Sequence, residues 1–261
     1  MIPKAYITEW SKNAPWTNNN QVEQDLIIER ALIEIFSDQE LSQQLAFRGG
    51  TALHKLFLNP SARYSEDIDL VQIQSGEIGH VLTLLRERLS FLENANYNSS
   101  EHNATLIYRF DSEYEPVTRL KLKIEINTRE HFNVFPFKDL EHKLNSSYYS
   151  GECVIKTYSI EELLATKLRA LYQRRKGRDL FDLWYSNENL TPDSAKIVNG
   201  FNEYIKNEGL NITGQAFQSN LEEKISDDEF KGDITGLLRP EINYDISKAY
   251  KYVNDHLIQK I

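Results

Sequence analysis

Two aspartates one residue apart, Asp67 and Asp69, stand in the run Arg63-Tyr-Ser65-Glu-Asp67-Ile-Asp69-Leu-Val71. Alternation of the aspartates with Ile68 and Leu70 has the period of a β-strand, which puts both carboxylates on one face. Residues i and i+2 of a strand stand roughly 7 Å apart at the backbone, so the two side chains can share hard divalent cations, which take oxygen ligands. Nucleotidyl transfer suits such a pair. Two metal ions about 3.5 to 4 Å apart can activate the attacking oxygen, neutralise the phosphorus electrophile and stabilise the pyrophosphate leaving group. Alone the pair is weak evidence, because an acidic chain produces Asp-x-Asp by chance as solvated or capping residues.

The context adds to it. Leu45-Ala-Phe47 runs into Arg48-Gly49-Gly50-Thr51, and Leu53, Leu56 and Phe57 follow at helical spacing. This reads as strand, tight turn and helix. A Gly-Gly-Thr turn that opens a helix aims backbone N–H groups and a positive dipole end at an anion, for which a triphosphate is a candidate. A plain tight turn is the competing reading. In Leu120-Lys-Leu-Lys-Ile-Glu-Ile126 every even position is apolar, so Lys121, Lys123 and Glu125 share the opposite face. Glu125 is a third carboxylate if that strand neighbours the Asp67 strand; otherwise it pairs with Lys121 or Lys123.

Further along, Lys167, Arg169, Arg174, Arg175, Lys176 and Arg178 crowd one stretch of a chain whose formal charge is -9. This concentrates positive charge in an acidic molecule and could hold triphosphate or RNA phosphate. A solvated helix face is the alternative. Asp179 and Asp182, at i and i+3, fall on one helix face, where either could orient Lys167 or Arg178 or serve as a structural ion-pair partner.

The elements that position these residues are legible in outline. Apolar spacing predicts an N-terminal helix over 22–36 and another over 79–92, and 105–110 reads as a strand. The stretch 136–150 reads as polar and irregular, with a short strand over 154–158 after it. Ser159 and Glu162 have capping-box spacing ahead of an apolar stripe that runs to Leu171, and Gly177 suits the end of that helix. A second helix carries Arg178-Asp-Leu-Phe-Asp-Leu-Trp184, and 201–205, 217–225 and 244–258 also look helical. The expected layout is a mixed domain over 1–150 with an N-terminal helix, and a mainly helical domain over 151–261.

Composition narrows the classes. Hydrophobic residues make up 40% and charged residues 26%, an ordinary globular balance that excludes wholesale disorder. An acidic chain argues against a nonspecific nucleic-acid coat protein. The lone Cys153 allows no internal disulfide and no cysteine zinc cluster. The histidines show no close metal-binding pair, and no Walker loop, Gly-x-Ser-x-Gly elbow or His-Glu-x-x-His motif is present. The N-terminus lacks a signal-type apolar segment and no long apolar run occurs, so a cytoplasmic location without membrane contact is expected.

As an ordered set, Gly49-Gly50-Thr51-Ala-Leu53 with Lys55, Arg63-x-Ser65-x-Asp67-x-Asp69, Lys121-x-Lys123-x-Glu125, Glu162-Leu-Leu-Ala-Thr-Lys167-Leu-Arg-Ala170 and Arg178-Asp179-x-x-Asp182 resembles the AbiEii/AbiGii toxin family, including its MenT-type members. The resemblance spans about 47–184. It implies an α+β protein with a polymerase-beta-like nucleotidyltransferase core, a mixed sheet and a helical C-terminal domain. It also implies Mg²⁺ (or Mn²⁺) dependence, an NTP substrate and a cognate antitoxin in a toxin–antitoxin or phage-defence pair. MenT-type relatives modify the tRNA 3′ end and block translation. Carried over, Asp67, Asp69 and Glu125 bind metal, and Lys167 with Asp179 completes the catalytic group. Gly49, Gly50, Thr51, Lys55, Arg63, Ser65 and Arg178 form the nucleotide-binding group. The turn has Gly-Gly where many nucleotidyltransferases have Gly-Ser, so Thr51 supplies the nearest hydroxyl. Transfer to a protein hydroxyl, or a non-catalytic nucleotide- or partner-binding module, are the competing functions.

Overall fold

The computed structural model describes residues 2–93, 95–100 and 102–261. It divides into two compact units, the first made of 1–132 and 137–158, the second of 133–136 and 159–261.

The first unit opens with α1 (Lys4–Trp10), α2 (Asn19–Phe36) and α3 (Gln39–Gln44). The Asn18 side chain accepts from the Asn20 N–H and so starts α2. Leu26, Ile28, Ala31, Leu32 and Ile35 of α2 are fully buried, each apolar side chain of Leu or Ile size contributing about 1.5–3 kcal/mol. This helix packs across strands of a seven-stranded sheet.

The strands are β1 (Leu45–Arg48), β2 (Asp67–Gln72), β3 (Asn96–Ser99), β4 (Asn103–Asp111), β5 (Arg119–Asn127), β6 (Lys138–Asn145) and β7 (Ser150–Thr157), in the order β3-β4-β5-β2-β1-β7-β6. The sheet is mixed: β2 with β5 and β1 with β7 are parallel, the other pairs antiparallel. In β5, Leu120, Leu122, Ile124 and Ile126 face the core, as do Ile68 and Leu70 of β2. The opposite face of these two central strands therefore carries their polar residues. Between β1 and β2 run α4 (Gly49–Ala52) and a π-turn over Leu53–Phe57, closed by the Leu58 N–H on the Leu53 carbonyl. Between β2 and β3 lies α5 (Gly79–Arg88), followed by a 3₁₀ turn at Ser90–Leu92.

The second unit is helical: α6 (Ile160–Gln173), α7 (Gly177–Leu190), α8 (Ser194–Asn207), α9 (Gly214–Ser226), α10 (Asp228–Gly232) and α11 (Ile246–His256). α6 packs on α7 and α8, and α11 packs on α7. No helix among the described residues is long and apolar enough to cross a membrane.

The α+β class with a mixed sheet is as expected, but three local readings need correction. The 136–150 stretch is not irregular: it holds β6, an edge strand whose exposed Lys138, Asp139, Glu141 and Lys143 obscure its alternation. Gly177 does not end α6, which stops at Gln173. It begins α7, where an added Cβ would lie 2.1 Å from the Phe230 carbonyl oxygen. The capping box is half formed. Ser159 Oγ accepts from the Glu162 N–H, whereas the Glu162 carboxylate accepts from Val134 N–H, Phe135 N–H and the Tyr204 hydroxyl.

Candidate active site on the β2–β5 face

Parallel pairing of β2 with β5 sets Asp67 opposite Lys123 and Asp69 opposite Glu125. Three carboxylates therefore meet on one polar face, with Lys123 between them. Lys123 Nζ is paired with Glu125, so the strand neighbour and the lysine partner expected as alternatives for Glu125 occur together. Burial works against the Lys123 charge, but Glu125, Asp67 and Asp69 outweigh it and raise its pKa.

Asp67 is strongly perturbed. Burial first, then repulsion from Asp69 and Glu66, push its pKa to about 6 against the pull of Lys123 and Lys121. Its Oδ1 is buried with no hydrogen-bond partner among the described residues, a costly arrangement for a group left alone. A cation on this face would relieve both the repulsion and the orphaned oxygen, so the donor set fits a hard divalent ion. Among the described residues no three of His, Cys, Asp or Glu form a ready metal cage. Two carboxylates completed by phosphate oxygens and water match the usual habit of Mg²⁺.

The turn after β1 lies directly on this face. Gly49 has φ +83°, and a Cβ there would fall 2.2 Å from Asp69 Oδ2, so only glycine lets the turn pack on the carboxylate. The Thr51 hydroxyl donates to the Asp67 carbonyl. Its proton thus committed, it accepts from Ser65 Oγ at 2.8 Å. Thr51 and Ser65 together lock the turn to the start of β2.

Arg48, the residue before the turn, was not singled out from the sequence. Antiparallel pairing places it opposite Asp69, and its guanidinium binds Glu130 at 2.6 Å. Burial opposes its charge, yet Glu130, with Tyr158 and Asp69, holds it more firmly charged than usual. An arginine closing a strand just before Gly-Gly is the signal that could have marked it.

The side chains of Lys55 and Arg63 are buried. Lys55 Nζ binds Asp25 Oδ2 at 3.0 Å and Glu29 Oε1 at 2.7 Å, and Arg63 donates to the Tyr64 carbonyl.

In the second unit, Lys167 Nζ lies 3.0 Å from both Asp179 Oδ1 and Asp182 Oδ2. Arg174 adds two hydrogen bonds to Asp179. Burial opposes the Asp179 charge, but Lys167 and Arg174 outweigh it and depress its pKa. The basic stretch is not a free cationic face. Arg169 pairs with Glu208, Arg175 with Glu223 and Asp227, and Lys176 and Arg178 with Asp233. Carboxylates from later in the chain compensate it.

A family model described as nucleotidyl transferase AbiEii toxin, type IV TA system, matches residues 30–252. JHP933 from Helicobacter pylori has a similar structure, with TM-score 0.60, 18% identity and 93% of each chain covered. MenT4, a nucleotidyltransferase toxin from Mycobacterium tuberculosis H37Rv, is also similar, with TM-score 0.60 and 13% identity over 97% of this chain and 99% of that one. At such identities the likeness is one of fold. Comparison with curated protein sequences gives no match.

Proposed function

The chain belongs to the AbiEii nucleotidyl transferase toxin family of type IV toxin–antitoxin systems, and from that premise we propose that it transfers an NMP from an NTP to RNA, at the tRNA 3′ end, and so blocks translation. The observation that carries this reading is the alignment of Asp67, Asp69 and Glu125 beneath the Gly49 turn.

Asp67, Asp69 and Glu125 are the residues that would hold Mg²⁺ (or Mn²⁺). The ion, when bound, supplies charge neutralisation at phosphorus and a lowered pKa for the attacking hydroxyl. Gly49 and Gly50 bring the backbone close enough for N–H groups to face the triphosphate, and the Thr51–Ser65 pair fixes the turn. Arg48 sets positive charge beside Asp69, where the phosphates arrive. Lys55 positions the nucleotide-binding turn by tying the π-turn that follows it to Asp25 and Glu29 of α2, and Arg63, ahead of β2, belongs to the same proposed nucleotide-binding group. Lys167 and Asp179, joined at 3.0 Å in the second unit, belong to the proposed catalytic group, and Arg178 to the proposed nucleotide-binding group. The family's antitoxin is the expected protein partner, and the cytoplasm the expected site of action.

The test is direct. Purified protein, Mg²⁺, each NTP labelled at the α-phosphate and total tRNA should yield labelled RNA. Asp69→Asn should lower the rate on the order of 10³-fold, because a metal site contributes several kcal/mol to the transition state. Label on protein alone, or none with any NTP, rejects the assignment.

A further inference from the structure

The first unit holds a second concave site that the transfer chemistry leaves unused. It is a cleft of about 710 Å³, within the size range of small-molecule pockets. Its buried lining includes Asp25 and Glu29 of α2, Lys55 of the π-turn, His142 of β6, and the indoles of Trp10 and Trp16. Lys12 and Lys143 line it from exposed positions.

The hydrogen bonding of the buried groups decides what such a cleft can take. Asp25 Oδ1 accepts from Trp10 Nε1, and its Oδ2 accepts from Trp16 Nε1 and Lys55 Nζ. Glu29 Oε1 accepts from Lys55, and its Oε2 lies 2.7 Å from His142 Nε2. All four carboxylate oxygens are therefore occupied from within. The Lys55 ammonium has three N–H groups and uses two on these carboxylates, so the spare capacity at the bottom is a charged donor. Among the lining groups Lys12, Lys55 and Lys143 match Asp25, Glu29 and Glu141 in number, in a chain of net charge -9. Glu141 is largely in solvent, 4.0 Å from Lys143, and Lys143 also pairs at 3.1 Å with the exposed Glu152, a weak surface bridge that an anion at the mouth can replace. A donor at the bottom and lysines at the mouth select an acceptor-rich anion, and the indoles with the remaining volume favour one that carries a flat ring. The π-turn that delivers Lys55 is itself a feature that gathers at functional sites.

We infer that this cleft binds a phosphate monoester of mononucleotide size, its phosphate between Lys55 and the rim lysines and its ring against Trp10 and Trp16. The inference rests on the first unit alone and stands apart from the transfer reaction.

Tryptophan emission provides the test, because the chain's tryptophans are Trp10, Trp16 and Trp184. Trp184→Phe leaves only the two that line the cleft, and Asp69→Asn with EDTA suppresses metal-dependent nucleotide binding. Titration of this protein with AMP should give a saturable change in emission. Adenosine and inorganic phosphate should each bind about tenfold more weakly or worse, since each lacks one half of the recognition. Adding Lys12→Gln with Lys143→Gln, both exposed, should weaken AMP several-fold or more, with a melting temperature lowered by only a few degrees, since the Lys143–Glu152 pair removed is an exposed one. No saturable change at millimolar AMP overturns the inference. So does equal affinity for adenosine or phosphate, or an undiminished response in the rim variant.

Discussion

One methyl group added at Gly49 should separate activity from stability. The backbone there sits at φ +83°, a conformation that costs an L-residue about 1–2 kcal/mol. In a chain of this size that lowers the melting temperature by about 2–8 °C and leaves it folded, against a typical stability of about 5–15 kcal/mol. The new Cβ would also fall 2.2 Å from Asp69 Oδ2 and 2.9 Å from Asp69 Cγ, where ordinary contact begins near 3.4 Å. The carboxylate must retreat by roughly 1 Å, a displacement that costs on the order of 10²-fold in rate when it falls on a reacting group. Gly49→Ala should therefore melt only slightly early, transfer nucleotide about a hundredfold more slowly, and bind Mn²⁺ more weakly by electron paramagnetic resonance. Gly79→Ala is the control, because a Cβ there meets nothing within 4 Å. Equal turnover and equal Mn²⁺ affinity in the two variants would refute the claim that the turn sets the position of Asp69.

Other perturbations follow from the same geometry. Lys55→Met strands Asp25 and Glu29 without their buried cation and should cost about 3–5 kcal/mol, read as a melting temperature lowered by about 10 °C. Burial opposes the Glu29 charge, but Lys55 and His142 outweigh it and hold its pKa at about 2, below the ordinary 4.5. The stability this brings is complete above pH 4.5 and is lost as pH falls toward 2, so Glu29→Gln should flatten that limb of an acid unfolding curve followed by circular dichroism. Gly177→Ala drives a Cβ against the Phe230 carbonyl and should cost about 1–3 kcal/mol, with faster hydrogen exchange concentrated in α7 and α10.

What the residues alone could reveal was set by how local each signal is. β5 was legible because its Leu and Ile alternate with Lys and Glu through the whole strand. β6 was hidden because it lies at a sheet edge, where exposed charge is normal and only His142 and Leu144 are buried. The meeting of Asp69 with Glu125 depends on a parallel pairing, and parallel neighbours need a long crossover that no local pattern announces. Helical spacing identified the residues of the basic stretch but not their partners, because Glu208, Glu223, Asp227 and Asp233 come from the later helix α9 and from the ends of α8 and α10. Lys55 carried a motif spacing that pointed to ligand, while the groups that fix it sit on α2.

The charge pattern of the central strands then has a physical reading. Like charges directly opposite one another weaken a sheet, yet the register places Asp69 against Glu125. Lys123 moderates that cost by lying beside Asp67 and pairing with Glu125 along its own strand. Asp67 has only the Coulombic pull of Lys123 and Lys121: its Oδ1 has no hydrogen-bond donor among the described residues, and its pKa climbs to about 6. A sheet selected only for stability would place an apolar or oppositely charged residue at one of these positions. Holding the carboxylates together at a cost to the free fold makes the face complementary to something positively charged that arrives from outside. A cation of high charge density gains most there, because it quiets the repulsion between Asp67 and Asp69 and fills the vacant acceptor at once. Lys123 meanwhile lets the strands pair before any such ion arrives.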